Sequence, residues 1–76
     1  MRDLVEFLAR SLVDEPDEVS VEELEEDGDI ILEITVAEDD VGRVIGRGGR
    51  IANAIRTLAK AAAVREDRRV IVDILE

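Results

Sequence analysis

The sequence has no cysteine, no histidine, one proline and a single aromatic residue, Phe7. Without cysteine there is neither a disulfide nor a thiolate metal site. Without histidine, imidazole acid–base chemistry and the commonest metal ligand are excluded. One aromatic ring cannot make the stacked platform on which many nucleic-acid-binding sheets lay their bases. No stretch approaches the roughly 18 apolar residues of a membrane span. Met1-Arg2-Asp3-Leu4 lacks the basic start of a secretory signal, which leads to the expectation of a cytoplasmic protein. The hydroxyls of Ser11, Ser20, Thr35 and Thr57 have no neighbouring base in sequence to activate them, so no catalytic residue, cofactor or metal is assigned and no enzyme is expected.

What is present is short and strongly patterned. Seventy-six residues are expected to make one small domain, 1–76, without room for a deep catalytic cleft. The net charge is −10, but it is unevenly spread. Residues 1–40 carry a net −14, residues 41–64 carry five bases and no acid, and residues 65–76 carry a net −1. Salt screens exposed charges beyond roughly 8–10 Å, so the segment 41–64 presents a local positive field despite the acidic total. A basic helix face that serves only solubility gives the same pattern.

Six elements are expected from periodicity and punctuation. Residues 2–14 predict a helix with an apolar stripe of Leu4, Leu8 and Leu12, beside Val5 and Phe7. Pro16 bars its continuation. Residues 18–25 predict a strand, and Asp27-Gly28 a turn. Residues 29–37 predict a second strand with Ile30, Leu32, Ile34 and Val36 on one face. A short helix follows from Asp39-Asp40 to about Ile45, interrupted by Gly46-Arg47-Gly48-Gly49. A longer helix then runs to about Val64, with Ile51, Ile55, Leu58, Ala59 and Ala62 on one face, and residues 68–75 predict a last strand. The order α-β-β-α-α-β implies an α+β sandwich, helices on one face of a three-stranded sheet.

The chemistry concentrates at the glycine loop. Gly46 and Gly49 permit left-handed angles and close approach of another backbone. The loop opens the following helix, whose first N–H groups and dipole attract anions, and Arg47 and Arg50 stand at that spot. Val41, Val44, Ile45 and Ile51 are placed to line a narrow aliphatic groove, with Arg43 nearby. Such a groove contacts bases without aromatic stacking. A plain turn between two packed helices is the bland alternative. Other motifs fail: a dinucleotide fingerprint starting at Gly46 needs glycine where Ile51 stands, and no Gly-Lys-Ser/Thr occurs. An EF-hand centred on Gly28 would need glutamate where Ile34 stands.

Val44-Ile45-Gly46-Arg47-Gly48-Gly49 resembles the V-I-G-x-x-G signature of KH domains. The whole chain resembles the KhpA (YlqC-like) family of small bacterial KH proteins. Ser11–Asp17, Gly42–Gly46 and Gly49–Thr57 carry that resemblance. It implies a type II KH fold with a mixed three-stranded sheet. It implies single-stranded RNA binding at Val41, Arg43, Val44, Ile45, Gly46, Arg47, Gly48, Gly49, Arg50 and Ile51, the loop backbone clamping about four nucleotides. It further implies an RNA-chaperone or post-transcriptional role, and pairing with a second KH protein of the KhpB (Jag/EloR) type or as a homodimer. A protein-interaction module using the groove or a sheet edge is the alternative. The chain departs from many KH domains at two points. Three residues after the last loop glycine stands Ala52 rather than a large apolar residue, and Gly48 adds a third glycine to the loop.

Overall fold

Strict alternation of large apolar residues makes the central strand, and the rest of the fold packs on it. In the computed structural model, which describes residues 1–75 and Arg47 through its backbone only, the elements are α1 (Arg2–Leu12), a single 3-10 turn (Pro16–Glu18), β1 (Ser20–Glu26), β2 (Asp29–Thr35), α2 (Glu38–Arg65) and β3 (Val70–Leu75). The strand order is β1-β2-β3. β1 pairs antiparallel with β2, Val21 opposite Ile34, and β2 pairs parallel with β3, Leu32 opposite Val72. The sheet is therefore mixed, the fold is α+β, and the architecture is that of a type II KH domain. Asp27 and Gly28 both take positive φ, 53° and 86°, the geometry a two-residue hairpin turn requires.

Ile30, Leu32, Ile34 and Val36 are all buried, at 3% exposure or less. Helices cover this face only, and burying side chains of this size contributes about 1.5–3 kcal/mol each. The opposite face carries Glu22, Glu33 and Asp73, which lie side by side across the three strands.

Both helix stripes differ in phase from the expectation. In α1 the buried residues are Val5 and Ala9, with Met1 and Val13 packed alongside. Leu4, Phe7 and Leu12 are exposed. In α2 the buried row is Ala52, Ile55, Ala59 and Ala63, while Leu58 is 45% exposed. The reason is size. A helix lying close on a sheet needs small residues at much of the contact, so alanine and valine take most of the inner positions, Ile55 being the large one in α2, and the leucines one residue away flank them.

The two helices expected on either side of the glycine loop form one helical run of 28 residues. A straight helix of that length spans about 42 Å, yet the molecule measures 34 Å along its longest axis. Gly48 and Gly49, at φ +73° and +72°, divide the run into an N-terminal and a C-terminal arm. The break is narrower than the expected four residues, because Gly46 keeps a negative φ and belongs to the first arm.

Candidate nucleic-acid interface

Gly42 and Gly46 are four residues apart and so share one face of the N-terminal arm. Beyond the chain neighbours and the helix's own backbone, no described atom lies within 4 Å of where a Cβ would stand on either. The missing side chains leave an open hollow of about 390 Å³, lined by Gly42, Arg43, Gly46, Arg50 and Ile51. Two left-handed glycines then turn the chain so that Arg50 and Ile51, on the second arm, face residues of the first.

The structure sorts the expected site residues. Arg43, Gly46, Arg50 and Ile51 meet at the hollow. Gly48 is exposed and Gly49 half-buried at the turn beside it. Val44 is 2% exposed and belongs to the core, not to a groove wall. Val41 is half-buried and packs against the core, and Ile45 is 49% exposed; neither lines the hollow. The side chain of Arg47 lies outside the described residues. Ala52 is buried, so the position three after the last loop glycine is inward-facing here too, filled by a methyl group, and Ile51 is left to line the hollow.

Three contributors had no part in the expected site, Asp40 being expected only as an N-cap of the helix after β2, a place that Ala37 takes. Gly42 opens the hollow, and its signal was the four-residue spacing to Gly46. Asn53 donates from Nδ2 to the carbonyl oxygen of Gly48 (3.3 Å) and accepts from Arg56 Nη1 (3.3 Å), tying the loop to the second arm. Asp40 is 1% exposed. Its Oδ1 accepts the N–H of Asp14 (3.1 Å) and its Oδ2 the N–H of Glu15 (3.0 Å), fixing the segment after α1 against the start of α2. No sequence pattern announces that contact across 26 residues.

The electrostatics separate two groups of cations. Arg2, Arg10, Arg43, Arg68 and Arg69 are engaged by carboxylates of this chain. Arg68 and Arg69 hold the acidic hairpin, the latter through Asp29 at 2.6 Å, and that hydrogen bond raises the Arg69 pKa further. Among the described residues, the cations without an ion pair are Arg50, Arg56, Lys60 and Arg65, all on the C-terminal arm of α2. A second hollow, of about 220 Å³, joins Arg56 and Lys60 to Val70, Ile71 and Val72 at the outer strand β3. On the other side, partial shielding from water, followed by the carboxylates of Asp39, Asp40, Glu18 and Asp14, raises the pKa of Glu15. The free positive charge thus lies on one side of the glycine loop and a crowded acidic rim on the other. Among the described residues no group of carboxylates is arranged to hold a metal ion.

The family profile "KhpA/KhpB, KH domain" matches residues 2–74. The chain belongs to the KhpA/KhpB KH-domain family. Among similar proteins in that family, the "RNA-binding protein KhpA" of Clostridium acetobutylicum is 57% identical over 75 residues, covering 99% of this chain and 100% of the relative. The protein of the same name from Caldanaerobacter subterraneus subsp. tengcongensis is 55% identical with the same coverage. That of Borreliella burgdorferi is 50% identical over 74 residues, covering 97% of this chain and 90% of the relative. No solved structure matches the chain significantly.

Proposed function

We propose that this chain is a single-stranded RNA-binding module that seats the RNA backbone at the hollow around Gly42, Gly46 and the Gly48–Gly49 turn. The observation that carries the reading is the hollow's setting. Its walls lack side chains where a phosphate backbone would approach, and the unpaired cations stand along the adjoining arm. The relatives' name, RNA-binding protein KhpA, agrees with it. Arg50 meets phosphate at the loop, and the strand continues toward Arg56, Lys60 and the open edge of β3, where aliphatic rather than aromatic contacts face the bases. About four nucleotides fill such a KH site. The module acts by binding, not catalysis, in the cytoplasm, as an RNA chaperone or post-transcriptional regulator.

So short a site gains from a second one. Pairing with a KhpB-type KH protein, or with a second copy, turns the second RNA contact into an intramolecular one and raises avidity by about 10²–10⁴. The exposed row Leu4, Phe7 and Leu12 on α1 favours a protein contact on this chain. Sedimentation of the chain alone and mixed with a KhpB-type protein reads the pairing directly, and a strict monomer in both contradicts it.

The RNA reading is tested by the double change Arg47→Asp, Gly48→Asp. Gly48 is exposed with nothing near its missing Cβ, and aspartate is among the residues that tolerate left-handed angles. The fold is expected to survive by far-UV circular dichroism, and retardation of a labelled single-stranded RNA pool to be lost. Undiminished retardation by the folded variant refutes the site.

A further inference from the structure

Arg43 lines the hollow, yet it is not free to meet a phosphate. Its Nη2 lies 2.6 Å from Oδ2 of Asp14, and its Nε lies 3.8 Å from Oδ1 of Asp40. Both partners of the shorter pair are exposed, at 50% and 69% of their side chains, so solvent and ligand reach them. Arg43 therefore differs from Arg50, which lines the same hollow and makes no ion pair among the described residues.

The position of Asp14 is set by the backbone. The buried carboxylate of Asp40 accepts the N–H groups of both Asp14 and Glu15, pinning the segment that follows α1. The Asp14 side chain projects from this pinned segment onto Arg43, between elements 29 residues apart in sequence. Asp40 itself is held by two N–H donors and is almost fully buried, so it remains in place whatever Arg43 does.

We propose that Asp14 is an internal competitor for the RNA phosphate: it occupies Arg43 in the free protein, and RNA must displace it to gain the Arg43 contact. The proposal rests on the RNA-binding reading above and names what tunes the affinity of that site. A carboxylate and a phosphodiester oxygen offer a guanidinium the same hydrogen-bonding geometry, so one replaces the other at Arg43. The displaced Asp14 carboxylate then faces water beside the acidic rim of Glu15, Glu18 and Asp39, which repels phosphate from the far side of Arg43. The RNA backbone is thereby held toward Arg50 and the C-terminal arm. Asp14 is a positioning residue: it acts through Arg43.

The experiment is a double-mutant cycle on retention of a labelled single-stranded RNA of random sequence at low salt. The chains are the wild type, Asp14→Asn, Arg43→Gln and the double variant, with Asp17→Asn as a control for bulk charge. Asparagine preserves the shape of Asp14 and leaves its backbone N–H on Asp40. An exposed pair of this kind is worth a few tenths to about 1 kcal/mol, so Asp14→Asn is expected to tighten binding by about two- to fivefold. Arg43→Gln weakens binding, and adding Asp14→Asn to it restores nothing. Asp17→Asn, whose side chain makes no ion pair among the described residues, changes affinity by less than Asp14→Asn does. Unchanged or weaker binding by Asp14→Asn overturns the proposal. So does an equal gain in the Arg43→Gln background, which would reduce the effect to net charge. Failure of the wild-type chain to retain RNA at all refutes the binding reading, a result distinguishable from any of these.

Discussion

The side-chain amide of Asn53 donates to the carbonyl oxygen of Gly48 at 3.3 Å, and Arg56 donates to Asn53 at the same distance. A turn of two adjacent glycines, Gly48 and Gly49, is costly to order, and these bonds order it in advance from the rigid second arm. Asn53→Ala removes both. The residue is exposed, so unfolding free energy is expected to change by no more than about 1 kcal/mol. RNA affinity is expected to fall severalfold, with faster backbone motion at Gly48 and Gly49 in amide relaxation. Unaltered relaxation and affinity would deny Asn53 this part.

Gly46 separates stability from binding. It stands inside the N-terminal arm at negative φ, with open space where a Cβ would go. Gly46→Ala is expected to hold or raise stability by about 0.5–1 kcal/mol, because alanine gives the unfolded chain less freedom to lose. The same methyl group stands in the hollow, where RNA affinity is expected to drop by about tenfold, or 1.4 kcal/mol. A paired denaturant and RNA titration reads both. A rise in stability with full RNA affinity would place the RNA elsewhere.

Asp40 is the buried acceptor on which the segment after α1 depends. Asp40→Ala leaves the N–H groups of Asp14 and Glu15 without their charged partner, and is expected to destabilise the fold by about 1–3 kcal/mol. Asp40→Asn keeps one acceptor and is expected to cost less. Urea unfolding midpoints order the three chains, wild type above asparagine above alanine. Equal midpoints would show the contact to be dispensable.

Legibility of the sequence followed the size and spacing of side chains. β2 was readable because Ile30, Leu32, Ile34 and Val36 alternate without exception, and the Asp27-Gly28 turn because few other pairs accept positive φ twice. The helix faces differ from the expectation at the leucines: Leu4, Leu12 and Leu58 are exposed, while Val5 and Ile55 are buried. Ala9, Ala52 and Ala63 lie inward because close helix–sheet contact selects small groups, a tertiary effect invisible in a hydrophobic stripe, whereas Ile55 and Ala59 are buried as their spacing implies. At the site, the glycine turn and Arg43, Arg50 and Ile51 were legible from local sequence. The contact of Asp40 with Asp14 and Glu15, and the pairing that occupies Arg43, were not, because each joins residues more than two dozen positions apart. Val44 fell to the core because its neighbours on the arm, Gly42 and Gly46, carry the open face instead.

RNA is expected to meet this chain at the glycine-lined hollow. Titrating single-stranded RNA into the isotopically labelled protein and following every backbone amide tests it most directly. The largest shifts are expected at Gly42, Arg43, Gly46 and Gly48 through Ile51, extending to Lys60 and Ile71, with the hairpin around Asp27 unmoved. Shifts concentrated on α1 or on the β1–β2 hairpin, with the glycine turn silent, would contradict it.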